Sequence, residues 1–199
     1  RREVRDTLSY LRALVNPLDE QALRRIINVP ARGIGATSIS KCAAVAVARG
    51  CSLLEAMMMA RQAGIAERTA KSIDGLVMVL ARYRSELEIK PAENLGPFVA
   101  RLITEAGLER AAAAIADDDQ DAADRKSNVQ EVANAASLYV LPESQPDARA
   151  PTLGDALRGF LESVALVADS DAVDPERGVV TLMSLHASKG LEFHTVAIV

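Results

Sequence analysis

A mainly α-helical fold, closed by a short β segment, is what this sequence predicts. Three observations carry that expectation. Ala, Leu, Val, Arg and Glu dominate while aromatic residues make up only 3% of the chain, a composition that favours helices. Apolar residues recur at spacings of three and four along most of its length, the repeat of a helix with one buried face. At about residue 177 the pattern changes, and two apolar β-type runs flank a short polar loop, His186 to Gly190.

The elements follow in order. Val4, Leu8, Leu11 and Val15 mark an amphipathic first helix, ended by Asn16-Pro17. Leu23, Ile26 and Ile27 mark a short second helix that Pro30 stops. Arg32-Gly33-Ile34-Gly35 reads as a tight turn, after which Ala36 or Thr37 opens a third helix running to Gly50. Ser52 and Glu55 have capping-box spacing and open a fourth helix ending near Gly64. Residues 66–89 read as one long helix with Ile73, Leu76, Val77, Leu80 and Leu87 on its apolar side. Asn94 and Pro97 start another, closed by Gly107, and the Ala-rich stretch 108–116 is helical again. Asp117-Asp118-Asp119 marks a helix junction, a solvated acidic turn without the spacing of a calcium loop. Val129, Val132, Ala133 and Ala136 give a helix to about Tyr139. Residues 141–151 hold three prolines and no apolar period, the mark of a loop. Thr152 and Asp155 start a last helix with Leu153, Leu157, Phe160, Leu161 and Val164 on one face.

These readings divide the chain into a helical body, 1–170, an acidic linker, 171–177, and a terminal segment, 178–199. Two strands alone do not make a stable sheet, so the terminal pair is expected to belong to a larger one. The sequence opens on Arg1 and stops at Val199 inside an apolar run. It is therefore expected to be a piece of a longer protein.

Net charge is −4, yet residues 1–50 carry a balance of +5 and the remainder −9. That asymmetry fits a nucleic-acid face at one end; an uneven helical surface fits it equally. Cys42 and Cys51 form no CxxC or Cys/His cluster, so structural zinc is not expected and a reducing cytoplasm is. The apolar run 43–48 is too short to span a bilayer. No signal peptide is visible. Met57-Met58-Met59 suits core filling or a partner-facing patch.

Two stretches hold groups suited to binding. In Gly33-Ile34-Gly35, glycine permits positive φ and a close backbone approach, while Ile34 packs inward. The amides of Ala36 and Thr37 at the next helix start would add a favourable dipole end. Helix-hairpin-helix turns contact a phosphate backbone in this way, with Arg24, Arg25, Arg32 and Lys41 near enough in sequence to add charge. The alternative is a plain turn between two helices. The second stretch, His186 to Glu192, puts an imidazole, a hydroxyl, an ammonium and a glycine at the end of a strand-like run. Ligands gather at such places in α/β proteins. No G-x-x-x-x-G-K-[ST] loop, no Asp-Glu pair after an apolar strand and no arginine-finger motif is present.

The run Val179 to Phe193, then Thr195 to Val199, closely resembles the fifth conserved motif of superfamily 1 DNA helicases of the UvrD/PcrA/Rep group, with Ser184 at the family's threonine position. Glu3-Val4-Arg5-Asp6, Leu8 to Arg12, Val15-Asn16-Pro17 and Ala22 to Gly35 resemble the opening of the 2B subdomain of these helicases. Asp124-Arg125, Asn128 and Glu131 resemble the family's later D-R-x-x-N-x-x-E-L helix. The resemblance thus spans nearly the whole chain in family order. It implies a 2B subdomain with a helix-hairpin-helix-like turn, followed by two strands of the RecA-like 2A domain.

The resemblance also implies roles. Arg32, Gly33, Ile34, Gly35 and Thr37 would contact duplex DNA ahead of the fork. Ser184, His186 and Lys189 would touch the single strand, Lys189 either at phosphates or in holding the loop. Gly190 and Glu192 would lie near ATP, Glu192 accepting from the ribose. The parent would be a nucleoid-associated, ATP- and Mg2+-dependent 3′–5′ helicase acting at single-strand/duplex junctions, with possible protein partners on 2B. The chain alone would bind no cofactor and hydrolyse no ATP. Two other readings stand beside it: a stand-alone DNA-binding or protein-docking helical module, and part of a recombination helicase–nuclease subunit.

Overall fold

The computed structural model describes residues 1–141, 149–171 and Thr195. The chain divides into two compact units, Arg1–Ser163 and Val164–Val199. Among its described residues the first is built of helices: α1 (Arg2–Val15), α2 (Glu20–Ile26), α3 (Ala36–Arg49), α4 (Leu53–Met58), α5 (Glu67–Leu87), a 3-10 turn (Ala92–Asn94), α6 (Leu95–Ala106), α7 (Leu108–Ala113), α8 (Asp119–Leu138) and the start of α9 (Leu153–Asp171). Of the second unit the end of α9 and Thr195 are described. The helix α9 reaches the first residue of the expected linker. The expected strands and the helicase-motif loop, apart from Thr195, lie outside the described residues.

Local chemistry sets most boundaries. Asn16 takes an extended conformation and ends α1 ahead of Pro17. Ser52 and Glu55 form a reciprocal capping box at α4. Thr152 and Asp155 bond to each other in the same way at α9, with the shorter aspartate in glutamate's place. Gly50 and Gly107 take left-handed φ of 62° and 71° and close α3 and α6, positions where a Cβ would be strained. The acidic run sits at the α7–α8 junction. Asp118 caps α8 by accepting from the Asp121 amide at 2.7 Å, and the carboxylates of the first turn face the positive end of the helix dipole.

The central element is α1, which packs against α2, α5, α7 and α8. Its buried stripe differs from the apolar one expected. Glu3, Thr7, Tyr10, Leu11 and Leu14 are buried, while Val4, Leu8 and Val15 are half-buried. Glu3 is 4% exposed and accepts from Asn128 Nδ2 at 2.7 Å, with Arg125 Nη1 at 3.4 Å. Burial disfavours its charge, but its own amide, Asn128 and Arg125 outweigh that and hold the carboxyl below its ordinary range. Thr7 donates to the Glu3 carbonyl at 2.9 Å. On α5, Tyr83 joins the core with Ile73, Leu76, Leu80 and Leu87, its ring edge-on to Phe98 at 5.3 Å, and Val77 is half-buried. Met57 is core while Met58 is 64% exposed, and Cys42 is buried while Cys51 is half-buried.

Candidate nucleic-acid interface

The segment between α2 and α3 is shaped by three side chains. Asn28 bridges it: Nδ2 donates to the Ile34 carbonyl at 2.6 Å, and Oδ1 accepts from the Ile34 amide at 3.1 Å and the Arg32 amide at 3.3 Å. The side-chain amide stands in for a peptide of a neighbouring strand and closes the loop. Ile34 is only 2% exposed and anchors the loop in the core. Gly33 takes φ +67°, a backbone that glycine adopts without strain.

Arg32 turns back onto the protein. Its Nη1 lies within hydrogen-bond distance of the carbonyls of Ile26 at 3.0 Å, Ile27 at 3.2 Å, Val29 at 2.9 Å and Pro30 at 3.2 Å. Its Nη2 donates to the Tyr10 hydroxyl at 2.6 Å, and that hydroxyl donates to the Val29 carbonyl. A cation at the carbonyl end of α2 satisfies acceptors that a helix end leaves open. Tyr10 is fully buried, and burial pushes its phenol above the ordinary range although the Arg32 guanidinium pulls the other way.

The outer surface of the turn is backbone. Gly33, Gly35, Ala36 and Thr37 are exposed, and their amides have no acceptor among the described residues. Gly35 is the N-cap of α3, without a side-chain cap, at φ −72° and ψ 161°. A Cβ there would meet nothing within 4 Å. The fold therefore imposes glycine at Gly33 by its φ but leaves Gly35 free of both steric and conformational demand.

The neighbouring cations are committed to differing degrees. Arg24 pairs with Glu20, Arg25 with Asp6 at 2.7 Å, and Lys41 donates to the Gly64 carbonyl at 2.8 Å. Between α1 and α2 lies a cleft of about 330 Å³ whose lining includes Arg5, Arg12, Asp19 and Arg25. Arg5 and Arg12 make no ion pair among the described residues and supply the open positive charge beside α2. Spacing alone did not single out Asn28 or Tyr10; the faint signal was an Asn four residues before an Arg, across a Pro. Ser184, His186, Lys189, Gly190 and Glu192 lie outside the described residues.

The family described as UvrD-like helicase C-terminal domain matches residues 1–199. The chain belongs to that family. Similar relatives include ATP-dependent DNA helicase UvrD1 of Mycobacterium bovis, 36% identical over 206 residues that cover 98% of this chain and 26% of the relative. Others are ATP-dependent DNA helicase PcrA of Staphylococcus epidermidis, 29% identical over 200 residues covering 100% and 25%, and PcrA of Bacillus subtilis, 29% identical over 202 residues covering 98% and 25%. The chain thus spans about a quarter of the length of the curated relatives it matches. Among the described residues no helix is long and apolar enough to cross a membrane.

Proposed function

We propose that this chain serves an ATP- and Mg2+-dependent 3′–5′ DNA helicase of the nucleoid. Its helical body acts as the 2B region, and the turn that Arg32 opens, Gly33 to Thr37, meets the backbone of duplex DNA ahead of the fork. The segment after the linker belongs to the 2A motor domain. There Ser184, His186 and Lys189 face the single strand, and Gly190 and Glu192 face the nucleotide. The family membership and the activity in the relatives' names support the helicase reading. Phosphoryl transfer needs a phosphate clamp, a metal site and a positioned water, so the motor chemistry is assigned to the complete protein and not to this chain.

The observation that carries the duplex contact is Gly35. Ser, Thr, Asp, Asn and Gly all serve at a helix N-cap, but only glycine does so without a side chain, and nothing in the fold prevents one of the others here. Glycine instead leaves the amides of Gly35, Ala36 and Thr37 bare, and a phosphate oxygen can reach them without meeting a Cβ. Contacts of this kind position a protein on DNA without reading sequence.

The test is Gly35→Ala in the complete protein, measured by fluorescence anisotropy on a tailed duplex. Alanine meets no obstacle there but is a poorer N-cap, so a small stability loss of about 0.5–1 kcal/mol is expected, while duplex affinity drops about threefold to tenfold, the worth of one or two hydrogen bonds. Wild-type affinity with an intact fold makes the segment an ordinary turn.

A further inference from the structure

We infer that Arg32 is a positioning residue for the duplex-binding turn and not one of its phosphate contacts, and that the buried Tyr10 is its partner in that role. The inference rests on the duplex reading of the turn. A cation in a Gly-rich DNA-binding loop invites assignment to a phosphate. The geometry points elsewhere. One nitrogen of the guanidinium faces four main-chain carbonyls within 3.2 Å and the other a phenolic oxygen.

Those acceptors lie on three pieces that must be held together. Ile26 and Ile27 end α2, Val29 and Pro30 begin the loop, and Tyr10 lies on α1. The guanidinium therefore ties the loop to the end of one helix and the flank of another. Arg32 also donates its own amide to Asn28 Oδ1, the atom that receives the Ile34 amide. Holding Arg32 thus fixes the register at which Ile34 enters the core, and with it the direction of the outward amides of Gly35 and Ala36. Preorganised backbone donors bind an anion without the cost of ordering a loop. Tyr10 is 0% exposed and cannot touch a nucleic acid, so any effect it has on DNA binding is indirect.

Lysine separates the two roles. A phosphate contact tolerates Lys, a point charge on a flexible stem. A planar fork facing several carbonyls and a hydroxyl at fixed angles does not. The complete protein would be prepared with Arg32→Lys, Arg32→Ala, Tyr10→Phe and, as reference, Gly35→Ala. Duplex affinity would be measured between 50 and 200 mM salt, about the range over which phosphate contacts declare themselves. Positioning predicts that Lys fails to rescue. Arg32→Lys and Tyr10→Phe should each weaken binding about threefold to tenfold. The slope of log affinity against log salt should stay at its wild-type value even in Arg32→Ala.

Wild-type affinity in Arg32→Lys, together with a slope reduced by about 0.9 in Arg32→Ala, makes Arg32 a direct phosphate contact and overturns the inference. If Gly35→Ala alone weakens binding, the duplex reading stands and the positioning role is wrong. If all four variants bind as wild type, the duplex reading fails and the positioning role fails with it. Hydrogen exchange guards against simple unfolding. The Ile34 amide should exchange faster in Arg32→Lys and Tyr10→Phe while amides in α6 and α8 keep their protection. Unchanged Ile34 protection also counts against the inference.

Discussion

Glu3 and Asn128 meet across the first unit, the Asn128 amide donating to the Glu3 carboxylate at 2.7 Å. Arg125 stands three residues before Asn128 on α8, so both side chains fall on one face of that helix and converge on a single acceptor. The R-x-x-N part of that spacing is thereby explained as a receptor for the start of α1. Removing one member strands a nearly buried polar group. Glu3→Ala and Asn128→Ala should each cost about 1–3 kcal/mol in urea unfolding, and the double variant less than their sum. Strict additivity would show that the pair contributes no coupling.

The same clasp shows where the sequence was hard to read. Apolar spacing put Val4, Leu8 and Val15 on the buried side of α1, yet the buried stripe begins with Glu3 and Thr7. A hydrophobic pattern cannot count a carboxylate whose donors lie more than 120 positions away. Caps were legible because their partners are local: Ser52 with Glu55, Thr152 with Asp155, and the left-handed glycines Gly50 and Gly107. The positive φ of Gly33 is likewise a local property that the glycine itself marks. The direction of Arg32 was not legible, because it depends on where the end of α2 and Tyr10 lie in space.

Two helical glycines should respond oppositely to alanine. At Gly96 on α6 a Cβ would lie 2.2 Å from Ser137 Oγ and 2.9 Å from Ser137 Cα. The Ser137 hydroxyl is itself held, donating to the Ala133 carbonyl at 2.9 Å. Backbone must move, so Gly96→Ala should destabilise by about 1–3 kcal/mol. Gly75 on α5 is exposed with nothing within 4 Å, and Gly75→Ala should stabilise by about 0.5–1 kcal/mol through helix propensity. Thermal or urea unfolding of both variants checks the pair, and a destabilised Gly75→Ala would mean that this face of α5 is packed.

Acid should loosen the start of α9 through Asp155. Its carboxylate accepts from the Thr152 amide at 2.9 Å and from Arg158 at 2.8 Å, and these donors, the amide foremost, hold it well below the usual carboxylate range. A carboxyl depressed in the folded state binds its proton first in the unfolded chain. Its stabilisation is complete above the unfolded value of about 4 and is lost as pH falls from there toward the folded one. Asp155→Asn should therefore be less stable than wild type at pH 6, with the two melting temperatures converging as acid is added. A constant gap down to pH 2 would assign the effect to packing instead of charge.

The roles proposed for the terminal segment should be separable in the complete protein. His186 and Glu192 are six positions apart in sequence and flank Lys189 and Gly190, and the proposed function has this one short segment touch a DNA strand and a nucleotide together. If it does, a change on the strand side alters how DNA stimulates hydrolysis, and a change on the nucleotide side alters the ATP concentration needed. His186→Ala should lower DNA stimulation of ATPase with little change in KM for ATP. Glu192→Ala should raise that KM or slow turnover, since a charged hydrogen bond to a ribose is worth about 1.5–3 kcal/mol, or roughly tenfold to a hundredfold in affinity. Both should slow unwinding of a tailed duplex at limiting ATP, because unwinding requires the two sides to act in step. Wild-type unwinding by both variants would make the loop a structural connection, and the coupling role would have to be sought elsewhere in the motor.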